Sequence, residues 1–237
     1  MKKHIKEKIR QGILMREHLR SEEEIMRTWK ETTPVVSICC ITYNHEPYIE
    51  DALEGFLIQE TDFPFEILIH DDASTDKTAD IIREYEMAYP ALIKPIYQTE
   101  NQKSQGKPLG GNNYNRAQGK YIAICEGDDF WTVPHKLQRQ IDYMEKNERC
   151  SMSFHAARIY TYDSSTNKRI SSTEIAAPKN KKPCSAFRAV FSMKVAALRL
   201  RHLWFFAVSF LTFTPISNRY HPWEICRESS FLPTTEI

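Results

Sequence analysis

From Thr33 onward, apolar runs of strand length alternate with stretches of helical spacing. VVSICCIT (35–42) is near-continuously apolar and β-branched at both ends, so it predicts a strand buried on both faces. Residues 46–59 place Ile49, Leu53, Phe56 and Leu57 at helical spacing. FEILIH (65–70) predicts a second strand and TADIIREYEMAY (78–89) a second helix, stopped by Pro90. IKPIYQ (93–98) is a weaker strand, and Pro95 assigns it to an edge or an end. NNYNRAQ (112–118) predicts a short helix ended by Gly119. YIAIC (121–125) is a third strong strand, and HKLQRQIDYMEK (135–146), entered through Pro134, carries Leu137, Ile141 and Met144 on one face. Doubly buried strands alternating with helices predict an α/β domain with a mainly parallel sheet.

The pattern differs at both ends. Residues 1–20 carry seven Lys or Arg against Glu7 and Glu17, with Ile5, Ile9, Ile13 and Leu14 at helical spacing, which predicts a basic amphipathic helix. Two readings are open for it: docking on an anionic membrane surface, or an apolar stripe packed on its own domain, which is favoured. Ser21 and Glu24 fit a capping box for a second helix running to about Trp29. SMSFHAARIYTYD (151–163) reads as one further strand and DSSTNKR (163–169) as a turn. Residues 185–237 contain no Gly and no Asp, and average Gly usage gives that stretch about a 2% chance of lacking Gly. LWFFAVSFLTF (203–213) is apolar but too short to span a bilayer. The chain thus divides into a basic helical extension (1–33), an α/β domain (34–183) and an atypical segment (184–237).

In a parallel α/β sheet, ligands bind beyond the carboxyl ends of the strands. Three polar clusters fall there: Thr42-Tyr43-Asn44-His45, Asp71-Asp72-Ala73-Ser74-Thr75-Asp76, and Glu126-Gly127-Asp128-Asp129. Ser74, Thr75 or Asp76 can cap the following helix, which leaves Asp71 and Asp72 unexplained. Acids packed into Glu126–Asp129 raise one another's pKa unless a cation compensates. Hard oxygen donors suit Mg²⁺ or Mn²⁺ bound together with substrate phosphates, with His45 and His135 as further candidate ligands.

A net charge of +1 gives no argument for a nucleic-acid partner. The six cysteines include no C-x-x-C pair, and Cys39, Cys40 and Cys125 lie in apolar runs, so buried reduced thiols are expected. No secretory h-region follows the basic start, which places the chain in the cytoplasm, with the membrane's inner face as an alternative.

With the three clusters in this order, the sequence resembles the family 2 glycosyltransferases of the GT-A fold. VSICCITYNHEPYIEDALEGFLIQ, FEILIHDDASTDKTADIIREY and RAQGKYIAICEGDDFW carry the resemblance, from about Val35 to Asn147, and the EGDD form resembles members acting in bacterial surface-polysaccharide assembly. The resemblance implies that Thr42 and Asn44 line a nucleotide pocket with Tyr43 nearby, that Asp72 bonds the base and that Arg116 lies near the sugar or diphosphate. Glu126 would face the ribose, Asp128 would hold Mn²⁺ or Mg²⁺, and Asp129 would be a second metal or sugar contact. The implied donor is a nucleotide-diphosphate sugar, a UDP-sugar first, and the acceptor a glycan or lipid-linked glycan. The implied reaction is inverting transfer to an acceptor hydroxyl.

Two departures stand out. Val133 occupies a position where the resembled motif reads W-T-D-P. Beyond Cys184 nothing is family-like. That segment is a divergent acceptor region with Glu224 or Glu228 as general base, an unrelated tail, or a non-native end produced by a shifted reading frame. The last is favoured, and it makes a catalytically inactive nucleotide-binding relative the alternative function.

Overall fold

The computed structural model describes residues 19–107, 109–147, 150–155, 157–162, 169–175, 204–206, 211–213 and 224–227. It contains two units, Met1–Arg139 and Gln140–Ile237. The basic helix expected around Ile5–Leu14 lies outside the described residues.

In the first unit, α1 (Glu22–Met26) begins at Ser21, whose hydroxyl accepts the Glu24 N–H while the Glu24 carboxylate accepts the Ser21 N–H. The helix stops short of Trp29, which instead packs edge-on against Phe65 at 5.4 Å. Ile25 is buried, Arg20 donates to the Gln59 carbonyl at 2.8 Å, and Glu22 accepts the Ala91 N–H at 2.8 Å. The described part of the extension therefore packs on its own domain.

The sheet of this unit runs β4 (Tyr121–Ile124), β1 (Val36–Thr42), β2 (Phe65–Asp71), β3 (Ile93–Tyr97), and every pairing is parallel. Among the described residues β3 borders only β2, so Pro95 sits where its missing N–H costs least. Ile38, Ile67, Ile69 and Ala123 are fully buried, as strands covered on both faces require. The crossovers carry α2 (Ile49–Leu57), α3 (Thr78–Ala88) and α4 (Gly110–Tyr114). The carboxyl ends of β1, β2 and β4 come out side by side.

α4 is shorter than predicted and ends four residues before Gly119 could cap it. Gly119 serves packing instead: a Cβ there would lie 2.5 Å from the Ser37 backbone nitrogen. Its N–H donates to the Ser37 hydroxyl at 2.8 Å.

α5 (Lys136–Lys146) spans the boundary between the units. In the second unit β5 (Cys150–Phe154) pairs in parallel with β10 (Glu224–Arg227) and antiparallel with β9 (Leu211–Phe213). β6 (Ala157–Tyr162) lies antiparallel between β7 (Arg169–Ile175) and β8 (Trp204–Phe206). The single strand expected over 151–163 is therefore two, because its halves pair with different partners. The apolar stretch 203–213 supplies β8 and β9, and the turn expected at 163–169 lies outside the described residues except for Arg169. No helix among the described residues is long and apolar enough to cross a membrane.

Candidate functional site

The backbone laces the three strand-end clusters together. The Thr42 carbonyl accepts the Asp72 N–H and the Ile41 carbonyl accepts the Gly127 N–H, both at 2.9 Å. The loops after β2 and β4 thus hang from the end of β1, as the parallel register dictates.

Asn44 adopts φ 54°, a left-handed conformation that Asn tolerates better than most residues. Its side-chain oxygen accepts the Thr75 N–H at 2.7 Å, and its own N–H donates to the Ser74 hydroxyl at 2.9 Å. Asn44 therefore clasps the second loop to the first, whereas Tyr43 beside it is 40% exposed.

Asp71 folds back on Ser74, accepting both its N–H and its hydroxyl. Asp72 is fully buried and aims elsewhere: its carboxylate accepts the N–H groups of Gln102 at 2.7 Å and Lys103 at 3.1 Å. The carboxylate fixes the start of a 3-10 turn (Lys103–Gln105) after β3. His70 Nε2 lies 3.7 Å from the same carboxylate. Asp76 is the residue that serves the start of α3, accepting the Thr78 N–H at 2.9 Å and the Glu46 N–H at 3.0 Å. Burial pushes the Asp76 carboxyl up, but these donors hold it below the usual range.

At the end of β4 the chain turns sharply, with the Asp129 N–H donating to the Glu126 carbonyl at 3.0 Å. Asp129 is buried, while Glu126 and Asp128 are half-buried. Burial first, then the charges of Asp128, Glu126, Cys39 and Asp129, push the pKa of the buried Cys40 thiol well above the ordinary thiol value. Cys39, Cys40 and Cys125 are buried free thiols, as expected.

Gly127 explains how the first and third clusters approach. A Cβ on it would lie 2.7 Å from Thr42 Oγ1 and 3.0 Å from His45 Nδ1. Both of these buried atoms lack a hydrogen-bond partner. His45 Nε2 lies 3.9 Å from Asp128 Oδ2. Two unpartnered polar atoms beside a carboxylate turn suit a polar, cationic neighbour. No group of three or more His, Cys, Asp or Glu side chains among the described residues could hold a metal ion alone. Asp128 with its neighbours fits a divalent cation completed by phosphate oxygens.

The other expected residues are placed differently. Arg116 turns inward, donating to the Lys94 carbonyl at 2.7 Å and the Ile69 carbonyl at 3.0 Å. Its neighbour Asn113 is buried and donates to the Cys40 and Leu68 carbonyls, so the pair stitches the sheet. His135 faces Glu60 at 3.6 Å, both exposed. Val133 is exposed. Glu224 begins β10 in the second unit, and Glu228 lies outside the described residues.

One residue near the acidic turn escaped the sequence reading. Lys136 is buried with its ammonium 3.8 Å from the ring centre of Trp131, and burial lowers its pKa to about 7. A cation in the first turn of α5 opposes the helix dipole, which is the signal that could have found it.

The model of the glycosyl transferase family 2 matches residues 37–225. Uncharacterized protein Rv1520 of Mycobacterium tuberculosis is 43% identical over 133 residues, 54% of this chain and 36% of its own length. TuaG of Bacillus subtilis, named as a teichuronic acid biosynthesis glycosyltransferase, is 37% identical over 130 residues, 54% of this chain and 48% of its own. The crystal structure of S. aureus TarS 1–349 in complex with UDP superposes with a TM-score of 0.40 at 25% identity, covering 51% of this chain and 33% of that one. The chain thus spans between about a third and a half of the length of these curated relatives. With its match covering most of its residues, the chain belongs to glycosyl transferase family 2.

Proposed function

We propose that this chain binds a nucleotide-diphosphate sugar, a UDP-sugar first, and transfers its sugar with inversion to an acceptor hydroxyl in surface-polysaccharide assembly. The observation that carries the reading is the convergence of the three strand-end clusters, with Gly127 pressed against Thr42 and His45. The family match and the name of TuaG support the class of reaction and the pathway.

In this reading the exposed Tyr43 ring flanks the base, and Thr42 and Asn44 shape the pocket behind it. Asp72 reads the base by exchanging a backbone N–H of Gln102 or Lys103 for one on the base. Glu126 faces the ribose. Arg116 acts at one remove from the sugar, by holding the ends of β2 and β3. Asp128, with Asp129 beside it, would hold Mn²⁺ or Mg²⁺; when bound, such an ion neutralises charge on the departing diphosphate. The acceptor oxygen attacks the anomeric carbon from the face opposite the diphosphate, and a carboxylate takes its proton. Glu224 and Glu228 are the candidates for that base. The donor region is 34–183, and 184–237 is the acceptor side or a non-native end. The basic start is a candidate peripheral contact with the inner face of the membrane.

A second reading, nucleotide binding without transfer, is favoured by the apolar, exposed Val133 beside the acidic turn. Thermal-shift titration with UDP, GDP and CMP, with and without Mn²⁺, tests both, with Asp128→Asn as control. A nucleotide at a hundredfold excess over Kd adds about 2.7 kcal/mol of stability. A metal-dependent shift abolished by the variant supports the donor site, and sugar release from the donor then separates the two readings. No shift in a cooperatively melting protein sinks both.

A further inference from the structure

We propose that His45 is a second protein donor to the divalent cation, beside Asp128, and that its ring nitrogen tilts the site toward Mn²⁺ over Mg²⁺. The inference rests on the donor-site reading above and deepens it.

The position of the ring is built in. The His45 carbonyl accepts the N–H groups of Tyr48 and Ile49, both at 2.8 Å, which anchors its backbone at the head of α2. On the other side, Gly127 leaves the space that a side chain would take, and the His45 ring edge occupies it. The ring is thereby set against the acidic turn by two separate elements.

One ring nitrogen then stands across a short gap from the acidic turn. His45 Nε2 and Asp128 Oδ2 are 3.9 Å apart, too far for a hydrogen bond. Two metal–ligand bonds of about 2.1 Å reach across such a gap, so one ion can touch both atoms. The unpartnered Thr42 hydroxyl and His45 Nδ1, both buried, lie against Gly127 of the same turn. Buried polar atoms without partners are destabilising, and a polar occupant relieves that cost.

The choice of metal follows from the donor. Mg²⁺ is bound almost entirely through oxygen, whereas imidazole favours later divalent ions, and Mn²⁺ accepts both donor types. A site with oxygen donors alone would separate the two ions less.

Pulsed electron paramagnetic resonance of Mn²⁺ bound to the wild-type chain with UDP, or with GDP if UDP fails, tests the assignment directly. A ¹⁴N coupling from a directly bound imidazole is expected, and His45→Gln should abolish it. The variant should also lower Mn²⁺ affinity by about tenfold while changing Mg²⁺ affinity less. Mn²⁺ and nucleotide taken up together without a nitrogen coupling would overturn the His45 assignment and leave the donor site standing. A coupling that survives in a folded His45→Gln protein would overturn it as well. No uptake of Mn²⁺ with either nucleotide would bring down the donor-site reading and this inference with it. The wild-type signal alone decides the matter if the variant does not fold.

Discussion

Gly127 lies so close to Thr42 that a Cβ on the glycine would come within 2.7 Å of the Thr42 hydroxyl oxygen and 2.8 Å of its Cβ. Thr42 is buried and β-branched, so its χ1 has little freedom to yield. Gly127→Ala must therefore push the acidic turn away from β1. The expected loss is about 1–3 kcal/mol of stability, the usual cost of overpacking. The nucleotide-dependent thermal shift should fall disproportionately. A variant that melts and binds like the wild type would show that the turn has room to spare.

Arg116 and Asp72 were both expected to face a ligand, and in the structure both hold the protein together. Arg116→Lys keeps the charge but cannot reproduce donation to the Ile69 and Lys94 carbonyls with Asn113 alongside. The expected result is a loss of about 1–3 kcal/mol of stability, read as a lower melting midpoint, with the nucleotide-induced increment unchanged. The reverse pattern, an unchanged midpoint with the increment lost, would put the guanidinium on the ligand.

That contrast shows where sequence reading stops. The strands at 36–42, 65–71 and 121–124 were legible because unbroken apolar runs of that length leave few alternatives. The three clusters were legible as a rim because parallel strands carry their carboxyl ends to one side. What each side chain is spent on was not legible. The Asp72 carboxylate meets N–H groups thirty and more residues away, and Arg116 meets carbonyls on two strands that precede it. Gly119 looked like a helix stop and is a contact with the β1 backbone, set by how closely the chain must pass Ser37. The break at His155 was hidden because both flanking stretches favour strand, and only their different pairing partners separate them.

Glu66 predicts a pH dependence. It is 2% exposed and accepts bonds from the Ser37 hydroxyl at 2.7 Å, the Gln118 N–H at 2.8 Å and the Lys94 ammonium at 2.9 Å. Burial pushes its carboxyl up, yet these partners, Lys94 foremost, hold it below the ordinary value. The folded pKa is thus lower than the unfolded one. The stabilisation is present above the unfolded value, about 4.3, and is lost as pH falls through the folded value. Glu66→Gln should lower the melting midpoint at pH 7 and flatten the acid limb of the stability profile. An equal offset at pH 7 and at pH 3 would show that Glu66 contributes no linkage.

Lys136 predicts a slope of opposite origin. Its ammonium is buried over Trp131, and desolvation holds its pKa at about 7 against an ordinary value near 10.4. Below pH 7 both states carry the charge, and the folded state bears its cost. Between pH 7 and about 10 the unfolded chain binds the extra proton, so folding gains stability as pH rises. Lys136→Met keeps the stem's packing on Trp131 and removes the titrating group. The variant should melt at or above the wild-type midpoint at pH 6, and the gap should narrow by pH 9, closing only above about pH 10. Denaturant titrations at the two pH values measure this directly. If the methionine variant is instead less stable by an equal amount at both, the ammonium is a net stabiliser of the turn that Trp131 closes.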